Sequence, residues 1–110
     1  MFKSVTIKKN VIDNQAITNN YISDSISVKR NLINVIHFIW TGSLNGNLQI
    51  QISIDNQNWE TITESTTALN GVDGSGVVEV VTACPYIRAI YNHTSGNGSL
   101  KAHYAGTTRN

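Results

Sequence analysis

The chain is poor in the residues that carry most chemistry. One cysteine, Cys84, stands among 110 residues, so an intramolecular disulfide and a multi-cysteine metal site are excluded. One proline, Pro85, leaves little to break strands. Charged residues make up 14% of the chain, with 8 Lys+Arg against 7 Asp+Glu. A net charge of +1 argues against free nucleic acid as a partner, because phosphate binding needs clustered cations. No apolar run approaches the roughly 20 residues that span a bilayer, which argues against a membrane. Met1-Phe2-Lys3-Ser4 is followed by no apolar leader, so a soluble protein made in a cytoplasm is expected. A chain of this length fits one domain, residues 1–110.

What is abundant points to strands. Asn and Ile each occur 14 times, a mixture that suits strands joined by polar turns and suits helices poorly. In Leu48-Gln49-Ile50-Gln51-Ile52-Ser53-Ile54 apolar residues occupy every second position, the period of a strand with one buried face. The run 33–41 is apolar at both parities and reads as a central strand. Between them Asn45-Gly46 has hairpin chemistry, which predicts two antiparallel neighbours. Asp55-Asn56-Gln57-Asn58 makes a further turn, and a return strand starts at Trp59. Residues 10–20 lack a clean period and read as a loop, as do the glycine-rich residues 66–76. Strands are expected at 77–82, at 86–91 and at 100–104, the last two joined by a hairpin at Ser95-Gly96-Asn97-Gly98. About eight short strands at this spacing predict an all-β antiparallel sandwich, jelly-roll, immunoglobulin-like or discoidin-like. Trp40, Ile50, Ile52, Trp59 and Tyr91 are its expected core.

Candidate reactive residues are scattered. His37 lies in the apolar run and reads as a structural histidine; His93 opens a turn; His103 alternates outward. No histidine pair or acidic cluster accompanies them, so no metal or cofactor is expected. Cys84 has nothing nearby in sequence to lower its pKa and reads as a buried, inert thiol. Asp55 to Asn58 lack the acids, glycine and terminal glutamate of a calcium loop. Asn92-His93-Thr94 and Asn97-Gly98-Ser99 fit the glycosylation sequon and are read as turn residues. These readings predict a protein without enzymatic activity. Trp59, Tyr86, Tyr91 and Tyr104 leave open an aromatic platform for sugar. Lys8, Lys9, Lys29, Arg30 and Arg109 are candidate contacts to a partner.

The stretch Trp40-Thr41-Gly42, Gly46-Asn47-Leu48-Gln49-Ile50-Gln51-Ile52-Ser53, Asp55 and Asn58-Trp59 resembles small virion proteins of tailed bacteriophages. Tyr86-Ile87-Arg88-Ala89-Ile90-Tyr91 with Thr94-Ser95-Gly96-Asn97-Gly98-Ser99-Leu100 is similar to the same proteins' closing hairpin. The Ser-x-Asp-x-x-x-Trp and Tyr-Ile-Arg elements are also similar to discoidin-like, galactose-binding sandwiches, with Asn56 where those usually carry glycine. The resemblance implies a structural part of a phage particle: a capsid auxiliary (decoration) protein docked on the major capsid protein, or a tail, collar or fibre module. It implies location in the virion, other virion proteins as partners, and compatibility with a homo-oligomer. The segments 10–20, 66–76 and 106–110 are the expected points of engagement. A carbohydrate-binding module is the alternative.

Overall fold

A computed structural model describes residues 4–28, 33–82 and 84–109, with 4–7 and 107–109 described by backbone only. Among these residues the chain forms seven strands: β1 (Ser4–Ile17), β2 (Tyr21–Ile22), β3 (Ile26–Ser27), β4 (Ile33–Ser53), β5 (Glu60–Leu69), β6 (Val72–Val81) and β7 (Tyr86–Arg109). Every pairing is antiparallel. The all-β antiparallel sandwich is therefore the fold.

Two very long strands organise it. β4 and β7 run side by side from Ile33↔Thr107 to Ser53↔Tyr86. The first part of β4 holds β6 at its other side, and the second part holds β5. The later part of β7 holds β1, and its earlier part holds β2 and β3. Two four-strand-wide stretches of one sheet result, β1-β7-β4-β6 and β2/β3-β7-β4-β5, continuous through the middle of β4 and β7.

Burial shows how they stack. Along β4 from Asn34 to Ile50 the buried residues share one parity, Asn34, Ile36, Phe38, Trp40, Leu44, Leu48 and Ile50, and Ser53 at the strand end is buried on the other. A single face of the sheet is thus removed from water over its whole length, and both ends of that face join one apolar cluster. The sheet satisfies this by folding over on itself. β7 needs a correction at the fold. Its buried residues are odd-numbered before the corner (Ile87, Ala89, Tyr91) and even-numbered after it (Leu100, Ala102, Tyr104). Thr94 supplies the change of parity: Asn45 faces Ser95 and Gly46 faces His93, so Thr94 has no counterpart. This one-residue bulge keeps the apolar side chains on the inner face.

The glycines expected to make hairpins make this corner instead. Gly42 (φ 84°) and Gly96 (φ 90°) adopt backbone angles that disfavour a side chain. The strands bend there without reversing. Likewise, residues 66–76 are not a loop: β5 and β6 occupy them, with a turn at Asn70-Gly71. The Gly71 carbonyl accepts from Leu44 N at 3.1 Å and from Trp40 Nε1 at 3.3 Å, pinning this turn to the corner. The expected loop at 10–20 is mostly strand as well. β1 runs through to Ile17 with register shifts after Asn10 and Ile12, and those irregularities are what hide its period.

Trp40, Ile50 and Tyr91 lie in the core, and Ile52 is half-buried against it. Gly74 and Gly76 on β6 sit beneath the rings of Trp40 and Phe38, which stack at 6.1 Å between centroids. Trp59 departs from expectation. It is half-buried, outside the core cluster, and packs against Arg88.

Candidate functional site

The folded sheet has two outer faces, and their chemistry differs. On the face of β7, β4 and β5, polar side chains bond to one another across the strands. Asn92 Nδ2 donates to Asn47 Oδ1 at 2.9 Å and to Gln49 Oε1 at 3.0 Å. Gln49 Nε2 continues to Thr66 Oγ1 at 2.9 Å, and Gln51 Nε2 donates to Thr61 Oγ1 at 3.0 Å. Arg88 Nε donates to Gln51 Oε1 at 2.7 Å, and its guanidinium carbon lies 4.3 Å from the Trp59 ring centroid. This places a cation over an aromatic face, a favourable electrostatic contact. The face thus carries two short cross-strand chains of hydrogen bonds, Asn47–Asn92–Gln49–Thr66 and Arg88–Gln51–Thr61.

At its end lies the Asp55 turn. Asp55 Oδ1 accepts from Asn58 N at 2.8 Å, Gln57 N at 2.9 Å and Ser53 Oγ at 3.0 Å, while Oδ2 accepts from Asn58 Nδ2 at 2.7 Å. The backbone N–H of Asn58, then that of Gln57, hold this carboxyl well below the usual carboxylate range. Asn56 takes φ 62°, the left-handed geometry for which asparagine replaces glycine. The Ser-x-Asp-x-x-x-Trp element thus builds a self-capped turn. Cys84 is half-buried rather than buried, beside a cavity of about 280 Å³ that Asp55 and Glu60 also line.

The face of β1, β7, β4 and β6 is different. Ile33 pairs with Val81, and His37 pairs with Val77, all outward. Val77 is 63% exposed, Val81 77% and Ile33 45%. His37, expected inside, is exposed because it has the outward parity of β4. The apolar run around it could not reveal that parity, since Val35 and Ile39 flank it on the same face and are only half-buried. Cross-strand register gives two rows: Lys8, Ala105, Val35 and Glu79; then Asn10, His103, His37 and Val77. Between them is a basin of about 540 Å³ with Lys8, Asn10, His37 and His103 around Val35 and Ala105. None of its lining residues is acidic. His103 Nδ1 lies 2.9 Å from Asn10 Oδ1, which orients the ring.

The sequence candidates separate accordingly. Lys8 and Lys9 both border the basin, but Lys9 Nζ donates to the Ser27 carbonyl at 2.9 Å and ties β1 to β3 across the sandwich. Lys29 and Arg30 lie outside the described residues, and Arg109 is described by its backbone, which pairs with Ser4. The four-aromatic platform does not form. Tyr91 and Tyr104 are buried, and Tyr104 OH donates to the buried Asn34 Oδ1. Burial pushes both phenols above their ordinary value. His93, in mid-strand rather than at a turn, is half-buried with Nδ1 3.3 Å from Tyr91 OH. Among the described residues no three His, Cys, Asp or Glu side chains come together as a metal site.

No family model matches the chain, and no curated protein matches it. Solved structures with a similar fold include a CBM4 carbohydrate-binding module at 8% identity, TM-score 0.48, covering 88% of this chain and 89% of that one. TmCBM61, solved with β-1,4-galactotriose, aligns at 10% identity and TM-score 0.46 over 94% of this chain and 86% of its own. The coat protein of tobacco streak virus aligns at 8% identity and TM-score 0.49, over 97% and 84%. At 8–10% identity and TM-scores below 0.5, these alignments carry nothing about what this chain does.

Proposed function

We propose that the chain is a structural component of a tailed-phage virion, a capsid auxiliary (decoration) protein that docks on the major capsid lattice, with a tail, collar or fibre position as the variant of the same role. The asymmetry of the outer faces carries this reading. On one face amide side chains bond to one another beside an exposed Ile22, while the other keeps Ile33, Val77 and Val81 in water around Glu79, next to a basin lined by no acid. Exposed apolar side chains grouped on a sheet face gain free energy when a partner covers them. Many copies on a lattice make weak individual contacts sufficient. The reading assigns no catalytic role to the chain, and the resemblance around Trp40 to Trp59 and Tyr86 to Leu100 supports a phage particle as its setting.

Quantitative mass spectrometry of purified particles tests it. The chain is expected in them at many copies each, and its absence from washed particles overturns the proposal.

A carbohydrate-binding module is the second reading, favoured by Trp59 standing outside the core among amide side chains. It requires a sugar to take the place of Arg88 on the ring. Glycan binding that raises the melting temperature and is abolished by Trp59→Ala would establish it over docking.

A further inference from the structure

We propose that the basin between β1, β7 and β4 receives a carboxylate carried by an acidic segment of a partner protein. The inference deepens the docking reading and rests on it for the partner's being a protein chain. Three observations carry it.

The first is charge. Lys8 and the imidazoles of His37 and His103 meet in one basin of about 540 Å³ whose lining residues include no acid. The charged groups nearby on each strand are few. Lys101 lies on β7 two residues from His103, Asp13 on β1 three residues past Asn10, and Glu79 on β6 in the row that Lys8 begins. Three strand spacings separate Lys8 from Glu79 in that row, roughly 14 Å. The acid is thus too far to occupy the ammonium.

The second is directionality. Asn10 Oδ1 is an acceptor, so the His103 Nδ1 at 2.9 Å carries its hydrogen toward it. That contact fixes the ring and leaves Nε2 free to meet a ligand. His37 stands directly across the strand pair from His103. In the neutral ring Nε2 then carries no hydrogen; protonation adds one there and makes it a charged donor to a carboxylate.

The third is selectivity by shape and total charge. Val35 and Ala105 give the basin apolar surface, which suits the methylene stem of a glutamate. A net charge of +1 gives a polyanion little general attraction to the chain. A discrete carboxylate on a peptide fits both features.

The test is a titration of the full chain with a Glu-Ala-Glu-Ala-Glu peptide, its Gln-Ala-Gln-Ala-Gln analogue and inorganic phosphate, following the imidazole NMR signals of His37 and His103. The acidic peptide is expected to shift both signals saturably, with severalfold tighter binding at pH 6 than at pH 8. Lys8→Glu and His37→Gln should each weaken it at least fivefold. Both side chains are exposed, and an unchanged circular dichroism spectrum confirms the fold; Lys8→Gln provides a milder variant. Absence of a saturable shift overturns the proposal. So does binding of the glutamine analogue or of phosphate as tight as that of the acidic peptide, or unchanged affinity in both variants. If wild-type protein is found on particles yet ignores the peptide, docking stands and this inference falls. If the peptide binds but particles lack the protein, the docking reading falls and the assignment of a virion partner with it.

Discussion

Individual side chains set the tolerances of this small sandwich. A Cβ added at Gly76 would lie 2.4 Å from Phe38 Cζ, well inside van der Waals contact. Gly76→Ala is therefore expected to cost about 1–3 kcal/mol, read as a lower urea midpoint at unchanged slope. An unchanged midpoint would mean that the ring has room to move. The Tyr104–Asn34 hydrogen bond is wholly buried, so Asn34→Ala strands a phenol hydroxyl and should cost about 1–3 kcal/mol in the same measurement. pH enters at both ends. Asp55 has its carboxyl lowered by folding, so its contribution is complete above the unfolded value of about 3.9 and is lost as pH falls toward the folded value. Urea midpoints between pH 6 and pH 2 should fall more steeply in the wild type than in Asp55→Asn; parallel curves would contradict this. Tyr91 and Tyr104 act in the opposite range. Their folded values are raised, so their contribution is complete below the unfolded value of about 10 and is lost as pH rises through the folded values.

At the scale of elements, the decisive features are two strands that bend instead of ending. The alternation from Leu48 to Ser53 made one stretch of strand legible, and the apolar run of 33–41 another. The link between them reads as a hairpin because Asn45-Gly46 and Ser95-Gly96-Asn97-Gly98 carry turn chemistry. A corner in a continuous strand and a hairpin use the same residues, since both require glycine where the backbone leaves the usual extended region. Whether the chain reverses there depends on pairing across 50 or more residues, as between Asn45 and Ser95. The same limit applied to Trp59 and His37. A large ring and an apolar neighbourhood point inward on average, but strand parity exposes His37, and Trp59 stays half-buried against Arg88, outside the core. The lysines of β1 and the two histidines could be named from sequence, whereas the basin that gathers Lys8, His37 and His103 depends on a register between residues about a hundred positions apart. Thr94 offers the sharpest test at this scale. Its deletion would put Leu100, Ala102 and Tyr104 on the outer face unless the register slips. Loss of the cooperative unfolding transition is expected, while a fully cooperative variant would refute the bulge's role. Thr94→Ser, which keeps the residue count, should remain within about 0.5 kcal/mol of the wild type.

For the whole molecule, the account turns on a division of labour between two sides of one folded sheet. The inner side joins nineteen buried apolar residues into one cluster. On the outer side of β7, β4 and β5 amide side chains bond to one another, and on the outer side of β1, β7, β4 and β6 Ile33, Val77 and Val81 stay exposed. Nothing in the inner cluster depends on Val77 or Val81, which lie outward on β6 at 63% and 77% exposure. Charge introduced there should spare folding and affect attachment. The most direct measurement is the number of copies retained on purified particles by a Val77→Glu/Val81→Glu double variant, added to particles lacking the protein alongside the wild type. The account predicts at least a tenfold fall in retained copies, with circular dichroism and melting temperature close to those of the wild type. Equal retention of a normally folded variant would contradict it.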